Sequence, residues 1–143
     1  MRSVSRGKAV STALSIALAL TACSGNGEAA ELEPPATKEP IEGTELYTVY
    51  LTEKAAERID VKTTEVIEAE GSLAVPSAAL IVDPAGIFWV YVTDEPFAYH
   101  RVEVSPVRET NGWAYFSEGP EPGTRVVIEG VPELYGEDTG VGK

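Results

Sequence analysis

Val75-Pro76-Ser77-Ala78-Ala79-Leu80-Ile81-Val82, then Asp83-Pro84-Ala85-Gly86, then Ile87-Phe88-Trp89-Val90-Tyr91-Val92 is the stretch on which the reading of this chain turns. Two apolar runs flank a four-residue punctuation, the pattern of a β-hairpin. Asp83 suits the first position of a type I turn, Pro84 presets φ at the second, and Gly86 is favoured at the fourth. Ile87 to Val92 has no polar residue on either alternating face, which predicts a strand buried on both sides. The hairpin is therefore expected to form the core of the folded region.

Working outward, Leu46 to Leu51 is rich in β-branched and aromatic residues and predicts a strand. Thr52 is placed to cap a short helix through Ile59, with Glu53 in its first turn, Arg58 in its last, and Leu51, Ala55 and Ile59 on one face. Val61 to Ile67 returns to strand character, and Glu68 to Ser72 is a short polar connection into the hairpin. Beyond Val92, Thr93-Asp94-Glu95-Pro96 predicts a turn. Tyr99 to Val104 alternates, with Arg101 and Glu103 on one face and His100, Val102 and Val104 on the other. Asn111-Gly112 is a strong type I′ hairpin signal leading into Trp113 to Phe116. Gly119 to Gly123 reads as a loop, Thr124 to Ile128 as a last strand, and Val131 to Tyr135 as a final turn on the core. The fold class expected is all-β: a small sandwich or barrel-like domain of about seven or eight short strands with one short helix.

The N-terminus has a different character. Arg2, Arg6 and Lys8 precede an uncharged apolar run from Ala9 to Ala22, too short to span a bilayer comfortably and suited to a signal-peptide core. Leu20-Thr21-Ala22-Cys23 resembles a bacterial lipobox, and Cys23 is the only cysteine of the chain. The resemblance implies cleavage between Ala22 and Cys23, with diacylglycerol (palmitate-type chains) on the Cys23 thiol and usually N-acylation. Several acyl chains anchor firmly where a single one is marginal. The expected location is the cell envelope, extracytoplasmic and lipid-anchored to a bacterial membrane.

These readings divide the chain into a signal peptide (1–22), a disordered acidic tether (23–44), a β-domain (45–136) and a flexible tail (137–143). The tether assignment rests on Gly25, Gly27, Pro34, Pro35, Pro40 and five glutamates; a strand near Ile41 finds no support in alternation. As a flexible coil of about 20 residues it would hold the domain roughly 25 Å from its anchor.

Composition narrows the function. The formal net charge is −12, from 23 acidic against 11 basic residues. Loss of the three cations of the leader takes it to about −15. No basic stripe exists to neutralise phosphates, so nucleic acid is not an expected partner, and docking on anionic headgroups is disfavoured. One cysteine and one histidine leave no His/Cys zinc set, and no cofactor or metal is expected.

Candidate chemistry is sparse. His100 beside Arg101 reads as structural, and Ser77 lacks His and Asp partners in the sequence. Asp94-Glu95 and Glu118 with Glu121 have no calcium-loop spacing and read as solvated loops. Trp89 and Trp113 read as aromatic core. Gly119-Pro120-Glu121-Pro122-Gly123 lacks the free amides and lysine of a phosphate loop. The expectation is not an enzyme.

From Leu46 onward the chain resembles the membrane-proximal domain of bacterial periplasmic adaptor proteins, the membrane fusion proteins of efflux and type I secretion systems. Val75 to Leu80 resembles that family's proline-containing strand, Gly86 to Val92 its partner, Tyr99 to Val104 the next strand. Gly119 to Val127 resembles a glycine-bracketed loop and strand, and Gly130 to Leu134 a last turn. Leu51-Thr52 through Arg58 to Thr63 is similar to the segment that opens the adaptor core. Ser105-Pro106-Val107 and Pro120 depart from the family's common glycine and leucine. In full adaptors a barrel, a lipoyl-like domain and a helical hairpin separate the two parts; here only the short stretch Glu68 to Leu73 does.

The resemblance implies an adaptor-like accessory protein of a membrane transport or efflux system. It would act by docking to an inner-membrane permease or a full-length adaptor. The alternative expectation is a stand-alone envelope lipoprotein that binds a small ligand or cation through its acidic loops.

Overall fold

The computed structural model describes residues 33–141. The lipobox, Ala22 and Cys23 lie outside the described residues. Among those described are eleven strands and two α-helices, β-rich as expected. The strands are β1 (Ala36–Pro40), β2 (Tyr47–Leu51), β3 (Lys62–Glu65), β4 (Ile67–Ala69), β5 (Ser72–Pro76), β6 (Ile81–Val82), β7 (Phe88–Val92), β8 (Ala98–Glu103), β9 (Arg108–Thr110), β10 (Trp113–Phe116) and β11 (Arg125–Glu129). The helices are α1 (Glu53–Arg58) and α2 (Val131–Thr139). A seven-stranded sheet runs β1-β2-β8-β7-β11-β3, with β6 also paired to β7, and a four-stranded sheet runs β4-β5-β10-β9. Every pairing is antiparallel.

The order of layers is helices, large sheet, small sheet. Val49, Leu51, Tyr91, Tyr99 and Val127 point to one face of the large sheet and pack with Ala55 and Ala56 of α1 and Val131 and Leu134 of α2. Val90, Val92 and Val126 point to the other and pack with Val75, Ala114 and Phe116 of the small sheet. β7 contributes to both clusters, so its unbroken apolar sequence is satisfied by burial on two faces.

The opening stretch does not form one hairpin. Its first part, through Pro76, is the end of β5 in the small sheet. Ser77–Ala79 makes a single 3-10 turn, held by the Ser77 amide donating to the Gly112 carbonyl (2.9 Å) and the Leu80 amide to that of Ser77 (3.1 Å). Only Ile81 and Val82 then pair with β7, opposite Trp89 and Phe88. The turn itself is as read: the Gly86 amide donates to the Asp83 carbonyl at 2.9 Å. Asp83 accepts from the Ala85 and Ile87 amides (2.8 and 2.9 Å) and from the Trp89 indole (3.0 Å). Those donors, Ile87 first and Trp89 next, hold its carboxyl below the usual aspartate range.

Three further expectations are corrected. Ala36–Pro40, placed in the tether, forms β1 against β2 in the register Ala36↔Leu51 to Pro40↔Tyr47, so ordered structure reaches well ahead of residue 45. β1 is an edge strand exposed along nearly all its length. It shows no apolar alternation because only Ala36, at its start, packs on the core. The strand read over Val61 to Ile67 divides at Val66, which is buried, so that β3 edges one sheet and β4 the other. Residues 137–139, placed in the tail, form instead the last turn of α2, and Asp138 is buried.

The expected cap is present: Thr52 Oγ1 accepts from the Ala55 amide at 3.2 Å. Thr52→Ala should lower stability by about 1 kcal/mol in urea unfolding; an unchanged midpoint would show that α1 is held by packing alone. Among the described residues no helix is long and apolar enough to cross a membrane.

Candidate functional site

β4 and β5 are joined by the two-residue loop Glu70-Gly71, with Ala69 opposite Ser72. Both loop residues have left-handed backbone, φ 55° and 76°, the requirement of a type I′ hairpin. The chain on the loop's N-terminal side supplies β1 to β4 and α1, and the chain on its C-terminal side supplies the rest. The two parts interlock: β2 pairs β8, β3 pairs β11, and β4 pairs β5.

The outer face of the small sheet follows from its register. Ala114 and Phe116 point inward, so Trp113 and Tyr115 point outward. Ile67, Ala74, Tyr115 and Arg108 form one cross-strand row, and Pro76, Trp113 and Thr110 the next. The Arg108 guanidinium lies 4.5 Å from the centre of the Tyr115 ring and 3.3 Å from Glu70 Oε2. The result is an aromatic strip with a single cation at its edge.

On the opposite side, α2 is fixed by a buried ion pair. Arg101 Nε lies 2.6 Å from Asp138 Oδ2, with side chains 12% and 0% exposed. The Tyr91 hydroxyl donates to the same oxygen at 2.8 Å, and Lys38 Nζ donates to the Asp138 carbonyl at 2.8 Å. The guanidinium lies 5.0 Å from the Trp89 ring and 5.7 Å from Tyr135. Burial, and then the neighbouring Asp138 charge, push the Tyr91 phenol far above its ordinary value, so it remains a donor. Sequence alternation groups Arg101 with Glu103, opposite His100, Val102 and Val104. Arg101 faces α2, because Asp138 supplies the countercharge that makes its burial tolerable.

Two concavities accompany these features. One, of about 260 Å³, lies between the two helices and the start of β1, with Leu51, Ala55 and Ile59 on its floor. The other, of about 380 Å³, is mixed in character: Ala56, Val61, Pro96 and Phe97 meet Thr63, Tyr99 and Arg125, with Glu57 and Asp60 on its wall.

The sequence candidates are scattered by the fold. His100 sits mid-strand between Thr48 and Val92. Ser77 opens the 3-10 turn. Asp94 and Glu95 are exposed, and Glu118 accepts from Ser105 Oγ at 3.3 Å. Trp89 packs on the helix-side core as expected, whereas Trp113 lies on the outer face of the small sheet. Among the described residues no group of three or more His, Cys, Asp and Glu is placed to hold a metal ion. No family model, curated protein or solved structure matches the chain.

Proposed function

We propose that this protein is a lipid-anchored, extracytoplasmic accessory component of a membrane transport system, which works by docking to a permease or a full-length adaptor. The observation that carries the reading is the Glu70-Gly71 hairpin. Two sequence segments that resemble the two separated parts of an adaptor's membrane-proximal domain are here joined by the tightest β-connection available. They interlock as one β-domain. The lipobox-like run ending at Cys23 supports an anchor on the extracytoplasmic side. The aromatic strip of the small sheet supplies the docking surface, since Tyr and Trp with an Arg are the residue types that concentrate binding energy at interfaces.

Crosslinking in cells followed by purification of the full chain tests this. A permease or adaptor component should be recovered with the wild type. Tyr115→Asp should reduce that recovery several-fold at unchanged melting temperature, and Cys23→Ala should release the protein from the membrane fraction. Consistent recovery of no transport component would overturn the docking reading, and a wild type that is unprocessed and membrane-bound just like Cys23→Ala would overturn the anchor.

A further inference from the structure

Phe97 has φ +63° and is 37% exposed. Left-handed backbone normally calls for Gly or Asn, and a bulky side chain there is strained. The conformation is imposed by its surroundings. The Thr93 hydroxyl and the Ala98 amide both donate to the Glu95 carbonyl (2.8 and 3.2 Å). The Leu51 amide donates to the Phe97 carbonyl at 2.9 Å, and the Thr93 amide to that of Arg125 at 3.0 Å. A glycine would satisfy all four bonds without strain. At 37% exposure the residue stands outside both core clusters, and the backbone bonds at this position do not require its side chain.

What the ring does line is the cleft of about 380 Å³. Pro96, Val61 and Ala56 extend its apolar wall. Arg125, exposed on β11, reaches in and donates from Nη2 to Thr63 Oγ1 at 2.9 Å. Among the described residues no carboxylate forms a salt bridge with Arg125, although Glu65 lies opposite it in register. The hydroxyl-bearing Tyr99 ring completes the polar end. Glu57 and Asp60 face the cleft as well, and Asp60 is held by Lys62 at 2.8 Å.

An apolar wall with a few convergent polar groups is the make-up of a small-molecule site, and this volume is at the lower end of that range. A guanidinium with donors to spare selects a carboxylate. The two acidic side chains make the site unfavourable to polyanions such as phosphate esters. We propose that this cleft binds a small organic monocarboxylate with an apolar body, its carboxylate on Arg125 and Thr63 and its body against the Phe97 ring. The strained backbone is then retained for the ring it presents. This site is separate from the aromatic strip and does not depend on docking to a transporter.

Calorimetric titration of the full chain with 3-phenylpropionate, 3-phenylpropanol and 2-phenylethylamine tests it. The acid should bind at millimolar concentration or below, and the alcohol and the amine should bind more weakly by about tenfold or more. Arg125→Gln should weaken the acid by a similar factor. Phe97→Gly should do the same without a fall in melting temperature, because glycine suits the backbone there. The proposal is overturned by the absence of heat with the acid at millimolar concentration, by equal or tighter binding of the alcohol or amine, or by unchanged affinity in either variant. It is equally overturned if Phe97→Gly melts well below the wild type, since the ring would then be serving the fold.

Discussion

Asp138→Ala is expected to destabilise the domain by about 3–5 kcal/mol, a large part of the stability of a domain this size. Removing the carboxylate leaves the Arg101 charge buried and uncompensated, with its side chain only 12% exposed. It also strips the Tyr91 hydroxyl of its acceptor. Asp138→Asn should be nearly as damaging, because an amide preserves shape without charge. The paired replacement Asp138→Leu with Arg101→Met should recover most of the loss, since an apolar pair of similar volume avoids desolvating two ions. Urea unfolding of the four proteins separates these contributions. If the double replacement is as unstable as Asp138→Ala, the carboxylate acts through the Tyr91 bond or the α2 backbone and not through Arg101.

The same pair shows where sequence reading stops. Arg101 alternates with apolar neighbours on β8, and alternation alone assigns it to solvent. Its partner lies far along the chain in a helix whose interior glycine, Gly136, and weak apolar periodicity conceal it. Local chemistry was legible: the Asp83–Gly86 turn, the Thr52 cap, the Asn111-Gly112 turn with both residues at positive φ (51° and 79°), and the twice-buried β7. Each is encoded within a few residues of itself. β1 was not legible, because its edge pairing is made by backbone and leaves its side chains from Thr37 to Pro40 largely exposed. The break at Pro76–Ala79 was marked only by Pro76-Ser77, which a proline on a continuing edge strand would explain equally well. Of the candidate surfaces, only the presence of Trp113 could be read, and its side of the sheet depends on the register with β5 and β9.

Phe116→Ala should cost about 3–5 kcal/mol, the second large effect, and its coupling to Gly119 makes it informative. Phe116 is 1% exposed at the centre of the contact between the two sheets. A Cβ on Gly119 would lie 2.7 Å from Phe116 Cε2 and 2.9 Å from Val104 Cγ1. Gly119 is therefore a glycine for close approach, and Gly119→Ala alone should overpack the site and cost about 1–3 kcal/mol. In the Phe116→Ala background the obstructing ring is gone, and the added methyl fills part of the space it leaves. The double variant should then be more stable than the sum of the single losses by about 0.5–3 kcal/mol. Additive losses would mean that the Val104 contact alone decides the cost at Gly119. Because Tyr115 projects from the other side of the same strand, loosening the inner face of β10 should also blunt the docking proposed for the aromatic strip. Phe116→Ala should accordingly lower recovery of a transport component, at a temperature where the domain remains folded, more than Gly119→Ala does.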